Sequence, residues 1–260
     1  MKMRPNKHVK AMPKSFARAQ RELSKVATLW AEGLALHEAG RLENAEKIYN
    51  QILVMQPDHF DSLHLLGVIS HQRGNHAEAV DKISLALKIN PHDVPALNNL
   101  GNALLALRDF VQALASYDRA LAKWPDYADA LSNRGAALHE LKRYEEALAG
   151  CDRTIALRPD YAEAHSNRGN TLNELKRYEE ALASCERALA LQPNFAAAHA
   201  NRGNALLALK RFAKALASYD RAITLRPGYI EALTNRSVAL QELARIEETG
   251  LTIDPKPVSR

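Results

Sequence analysis

Five asparagines stand 34 residues apart: Asn99, Asn133, Asn167, Asn201 and Asn235. A carboxamide carries a C=O acceptor and an NH2 donor. These match the N–H and C=O of a peptide group. A regular row of them suits holding the backbone of an extended chain with little side-chain preference. Asn102, Asn170 and Asn204 follow about one helical turn later and extend the row. Other reactive side chains lack a working arrangement. His64 and His71 lie seven apart, about 10 Å along a helix axis, too far for one metal. His165 and His199 recur at one packing position. Cys151 and Cys185 form no CxxC and no His-Cys group with zinc spacing. The acidic pairs Glu145-Glu146 and Glu179-Glu180 open helices, where the helix dipole favours acids. No Gly-rich phosphate loop, nucleophile elbow or HExxH occurs. We therefore expect no catalytic residue, no metal, no cofactor and no enzyme activity.

The elements that must position the row follow from the same spacing. Gly33, Gly67, Gly101, Gly135, Gly169 and Gly203 are 34 apart, as are Ala45, Ala79, Ala113, Ala147, Ala181 and Ala215. So are Pro57, Pro91, Pro125, Pro159, Pro193 and Pro227. Three residue types on one period mean stacked repeats. Within Val94–Tyr127, Leu97, Leu100, Gly101 and Leu104 mark one helical face, and Ala113, Leu114, Tyr117, Ala120 and Leu121 a second. Arg108-Asp109 joins them, and Pro125 ends the second helix. Glycine inside a helix costs about 1 kcal/mol against alanine. Its recurrence implies that two axes approach closely there.

With Leu97, Leu100-Gly101, Leu104, Ala113, Tyr117, Ala120 and Pro125, the unit resembles the tetratricopeptide repeat. The resemblance covers about four fifths of the chain. It implies an all-α, right-handed superhelical solenoid of antiparallel helix pairs. Six full repeats occupy 26–59, 60–93, 94–127, 128–161, 162–195 and 196–229, with a partial seventh at 230–248. The solenoid is placed at 26–245, after a basic, partly disordered lead-in (1–25) and before a tail (249–260). Pro255 and Pro257 forbid a helix in that tail. Ser15 is expected to cap a helix after Pro13. The helix from Tyr229 to about Arg245 is expected to end the stack with Val238, Leu240 and Leu243 partly uncovered, a surface for weak self-association.

The seventh position reads Glu32, Leu66, Leu100, Arg134, Arg168, Arg202 and Arg236. The twenty-fifth position of the repeat before reads Asn50, Ser84, Asp118, Asp152, Glu186 and Asp220 for the last six. Arginine follows an acid each time. Inter-repeat ion pairs Asp118–Arg134, Asp152–Arg168, Glu186–Arg202 and Asp220–Arg236 are predicted, the Arg stem packing while its head pairs. The two cysteines share a position where other repeats place Tyr117 and Tyr219. Packed helices about 8–10 Å apart are too distant for a disulfide, so both are read as buried fillers.

In the tetratricopeptide family the Asn row lies on the concave side, which makes it a candidate peptide-binding groove. Repeats about 10 Å apart would meet every third residue of a chain rising about 3.3 Å per residue. The row, with Ser132–Gly135, Ser166–Gly169 and Ala200–Gly203, also resembles the repeat arm of bacterial, Spindly-like O-linked N-acetylglucosamine transferases. That implies a truncated substrate-recognition arm as an alternative reading. The basic pattern of chaperone-adaptor repeats, which holds a C-terminal carboxylate, is missing.

Composition sets the outer bounds. The chain has 260 residues, 35 Lys plus Arg and 30 Asp plus Glu, for a net +5. Eight of those cations and only Glu22 among the acids fall within residues 1–25, leaving 27 basic and 29 acidic residues elsewhere. The repeats are thus nearly neutral, and no nucleic-acid partner is expected. The lead-in lacks the apolar stretch of a secretory signal, and no apolar run is long enough to span a membrane. The expectation is a cytoplasmic scaffold whose partner is a protein or peptide.

Overall fold

The computed structural model describes residues 14–249. Among them every regular element is a helix, thirteen in all. They form two compact units that part between Leu107 and Arg108. The repeat period implies a single solenoid over 26–245; the parting falls inside its third repeat. Stacked repeats touch mainly their neighbours, so few contacts oppose a division at any one junction.

The first unit holds α1 (Lys14–Glu38), α2 (Leu42–Met55), α3 (Phe60–Gln72), α4 (His76–Ile89) and α5 (Val94–Ala106). The second holds α6 (Phe110–Lys123), α7 (Ala128–Glu140), α8 (Tyr144–Leu157), α9 (Ala162–Glu174), α10 (Tyr178–Leu191), α11 (Ala196–Ala208), α12 (Phe212–Leu225) and α13 (Ile230–Thr249). Within each unit every helix packs on the next in sequence. In the second, α7 also meets α9, α9 meets α11 and α11 meets α13, so the first helices of successive repeats lie side by side. Helix α1 already includes Ser15, which therefore does not precede it as a cap. Helix α1 takes in residues 14–25 of the basic lead-in; residues 1–13 and the Pro255/Pro257 tail lie outside the described residues. Helix α13 runs four residues beyond Arg245.

Each helix pair turns through a residue of positive φ: Gly40 and Gly74 in the first unit, then Arg108, Lys142, Lys176 and Lys210 in the second. At Lys142 the geometry is a Schellman closure. Arg143 N–H donates to Leu138 C=O (2.9 Å), and Lys142 N–H donates to His139 C=O (2.8 Å). The turn thereby satisfies carbonyls that a helix end leaves open.

The lattice glycines face the second helix of their own repeat. A Cβ on Gly203 would lie 2.4 Å from the Tyr219 ring, and one on Gly67 2.5 Å from the Ile83 side chain. One on Gly169 would lie 2.5 Å from Cys185 Sγ and 3.2 Å from the Ala181 carbonyl. The twenty-fourth position is what each glycine makes room for. Tyr49, Ile83, Cys151, Cys185 and Tyr219 are all fully buried there. Both cysteines are unpaired fillers, and burial pushes their thiols up to about 12. Burying a large apolar side chain of this kind contributes about 1.5–3 kcal/mol. Helix α13 leaves Ile230, Leu233, Val238 and Leu240 exposed, with Leu243 half-buried.

Candidate functional site

The asparagine row lies on first helices: Asn99 and Asn102 on α5, Asn133 on α7, Asn167 and Asn170 on α9, Asn201 and Asn204 on α11, and Asn235 on α13. All are half-buried except Asn201, which is buried. The NH2 groups of Asn99, Asn167 and Asn201 reach backward. In the first unit Asn99 Nδ2 donates to His64 Nε2 at 3.0 Å. In the second, Asn167 Nδ2 donates to Ser132 Oγ (3.4 Å), and Asn201 Nδ2 lies 3.3 Å from both Ser166 O and Ser166 Oγ. Each bond joins the sixth position of one repeat to the fifth of the repeat before. These three asparagines therefore stitch successive repeats together. Spacing alone presents the whole amide as open to a ligand. The stitch is legible in the sequence only as small polar residues, Ser132 and Ser166, one place before the Asn of each preceding repeat.

Asn204 is a junction of three helices. Its Oδ1 accepts from Tyr219 Oη and Asn235 Nδ2, both at 2.9 Å, while its Nδ2 donates to Glu231 Oε1 at 2.9 Å. Asn170 differs. Its Nδ2 donates to His139 Nε2 at 3.0 Å, and Thr171 Oγ1 stands 3.4 Å from Nδ1 of the same ring. The His139 ring meets Tyr144 edge-on, centroids 5.2 Å apart. Burial lowers the His139 pKa against the partial opposition of Glu174, Glu140 and Glu231, favouring a neutral ring that accepts from Asn170. His64 is lowered by burial in the same way, against Asp93 and Asp61. Among the described residues no donor reaches Oδ1 of Asn167 or Asn170, so two acceptors remain on this face.

Four other histidines bond within the stack. His165 Nε2 donates to Pro159 C=O (3.0 Å) and His199 Nε2 to Pro193 C=O (2.9 Å). His71 and His76 share one hydrogen bond between Nδ1 atoms, 3.1 Å apart.

The seventh-position arginines span neighbouring repeats. Arg134 Nε donates to Asp118 (2.6 Å), Arg168 Nε to Asp152 (2.6 Å) and Arg236 Nε to Asp220 (2.5 Å). The fourth predicted partnership is different. Among the described residues Glu186 and Arg202 form no ion pair, and Arg202 Nε donates instead to Ser218 Oγ at 3.0 Å. Sequence pairing overlooks a second partner, a serine at the twenty-third position, and the acid here is a glutamate where the three paired arginines meet aspartates. Arg168 serves both sides, with Nη1 on Ser184 Oγ at 2.6 Å. Arg202 turns its Nε to the serine.

Family profiles described as tetratricopeptide repeat match residues 31–94, 98–162, 162–195 and 196–229. The chain belongs to the tetratricopeptide repeat family. Several solved tetratricopeptide structures share its fold. A chain of the APC/C hetero-tetramer Cut9–Hcn1 aligns over 83% of this chain at 18% identity and a TM-score of 0.74, and this chain spans 42% of its length. The thermophilic protein TTC0263 of Thermus thermophilus is 26% identical, with a TM-score of 0.61 over 70% of this chain and 99% of its own. YrrB, described as having an unusual peptide-binding site, is 20% identical, with a TM-score of 0.54 over 73% of this chain and 97% of its own. At 18% and 20% identity, Cut9–Hcn1 and YrrB speak to the fold alone. The tetratricopeptide fold is typical of protein–protein interaction scaffolds. Among the described residues no helix is long and apolar enough to cross a membrane.

Proposed function

We propose that the chain is a protein-interaction scaffold and that its second unit holds an extended peptide along α7, α9 and α11. The observation that supports this most directly is the pair of acceptor oxygens on Asn167 and Asn170. Their amides are fixed from behind by Ser132 and His139, so little side-chain entropy remains to be lost on binding. A peptide N–H would meet Asn167 or Asn170, and Asn133 and Asn201 would flank it. Each such bond contributes about 1 kcal/mol net, which sets modest affinity unless side-chain pockets add to it. The face carries Glu140, Glu174 and Glu163 and favours neutral or basic segments over acidic ones. The transferase-arm reading rests on the same amides and gains no separate support.

The test is a peptide-library screen with the intact chain, repeated with Asn167→Ala/Asn170→Ala and with Ser132→Ala. The double variant should lose peptide binding while keeping its helical circular dichroism. Ser132→Ala removes a stitch but no groove acceptor, and should weaken binding only slightly. Equal binding by the wild type and the double variant would overturn the reading.

A further inference from the structure

The second unit carries a cationic cleft that the peptide surface does not use. In repeats four and five the sixteenth-position arginine is locked to a glutamate three residues on. Arg143 grips both oxygens of Glu146 at 2.7 Å, and Arg177 grips both of Glu180 at 2.7 Å. These bonds hold both carboxyls below their ordinary range. In repeat six the glutamate is replaced by Lys214. Three features accompany that one substitution. Arg211 has no fork partner in its own helix and reaches back to Glu179 of repeat five at 2.9 Å. Arg202 leaves Glu186 for Ser218. A cleft of about 270 Å³ lies between α10, α11 and α12, rimmed by Arg202, Arg211, Lys214 and Glu186 over Leu182 and Leu206.

The charge balance is distinctive. The corresponding positions of repeats four and five pair two arginines with two carboxylates: Asp118 and Glu146 with Arg134 and Arg143, then Asp152 and Glu180 with Arg168 and Arg177. The cleft of repeat six holds three cations, of which Arg211 is paired with Glu179, leaving Arg202 and Lys214 with Glu186 as the one acid on the rim. Among the described residues, neither the Nη groups of Arg202 nor Nζ of Lys214 has a carboxylate or hydrogen-bond acceptor. Arg168 fills its fork with Asp152 and Ser184, so unfilled donors are not a general property of this position.

We infer that this cleft binds an oxyanion, with a phosphate group as the best match and a carboxylate as the lesser one. A planar guanidinium offers paired donors to two oxygens, and the lysine adds a point charge. Leu182 and Leu206 form the base of the cleft and keep water from one side of the anion. A phosphate offers Arg202 and Lys214 more charge and a further oxygen than a monocarboxylate does.

The experiment titrates the intact chain with inorganic phosphate, and in parallel with acetate, at fixed ionic strength. Backbone amide shifts around 202, 211 and 214 are followed by NMR. Saturable shifts are expected with phosphate, at several-fold lower concentration than with acetate; the reverse order would assign the site to carboxylates. Lys214→Glu recreates the residue of repeats four and five and should weaken phosphate binding at least tenfold with the fold unchanged. The inference is overturned if neither anion gives saturable shifts at this cleft, or if Lys214→Glu binds phosphate as tightly as the wild type.

Discussion

Leu66 and Leu100 occupy the seventh position of their repeats in the first unit, and both are buried. In the second unit Arg134, Arg168, Arg202 and Arg236 hold the same position, each paired with a carboxylate of the repeat before or a serine of its own. The interhelix turns divide similarly, with Gly40 and Gly74 on one side and Arg108, Lys142, Lys176 and Lys210 on the other. One lattice thus tolerates two fillings. What it requires at the seventh position is a stem that packs; the stem's end is negotiable where an acid or hydroxyl stands opposite. The first unit offers Asn50 and Ser84 there, which cannot neutralise a cation.

Exchanging the fillings breaks the symmetry most strongly. Leu66→Arg should cost about 3–5 kcal/mol in urea denaturation, because a buried cation would face no carboxylate. The reverse change, Arg168→Leu, should cost under about 1 kcal/mol. Its pair with Asp152 is partly exposed and water screens it, while the leucine recovers packing. Comparable losses in both variants would refute the idea that the two seams differ in kind.

A second contrast concerns the space kept by the glycines. Gly203→Ala meets the Tyr219 ring, which is buried and tied to Asn204, and should cost about 1–3 kcal/mol. At Gly135 the nearest atom to an added Cβ is Cys151 Sγ at 3.6 Å. Gly135→Ala should therefore be neutral or stabilise by up to about 1 kcal/mol through helix propensity. Thermal midpoints of the two variants would rank them.

At the turns, Lys142→Gly should stabilise by up to about 1 kcal/mol, since positive φ is strained for a side chain and natural for glycine. Unchanged stability in denaturant titration would mean that the Schellman bonds already absorb the strain.

The mildest separation is by pH, and here the units should behave alike. His64 in one and His139 in the other are held below the ordinary 6.5 by burial. The unfolded chain therefore takes up these protons first. Stability from this source is complete above about pH 6.5 and drains as pH falls through the lower folded values. Melting followed from about pH 7.5 to about 5.5 should show the decline, and His64→Gln/His139→Gln should reduce it.

Period, helix pairs and close-approach positions were all legible, because they depend on which residue types recur and at what interval. Cys151 and Cys185 were readable as fillers for the same reason: the slot they share elsewhere holds Tyr117 and Tyr219. The candidate surface was less legible. Asn167 and Asn201 could be placed on their helices, but not the direction in which each amide turns. That depends on side-chain torsions and on Ser132 and Ser166 one repeat earlier. Arg202 fails as a partner of Glu186 for a similar reason. A pattern of charges marks who stands near whom; the choice between carboxylate and hydroxyl is made by geometry within an ångström.

The sulfurs of Cys151 and Cys185 offer a use unrelated to binding. They are the chain's two cysteines, both lie in the second unit, and both thiols are buried and pushed up to about 12. A thiol reagent in neutral solution meets a thiolate only when α8 or α10 lifts from its neighbours. The rate of adduct formation is consequently a clock for local opening in the second unit, one on which the first unit, having no sulfhydryl, leaves no mark.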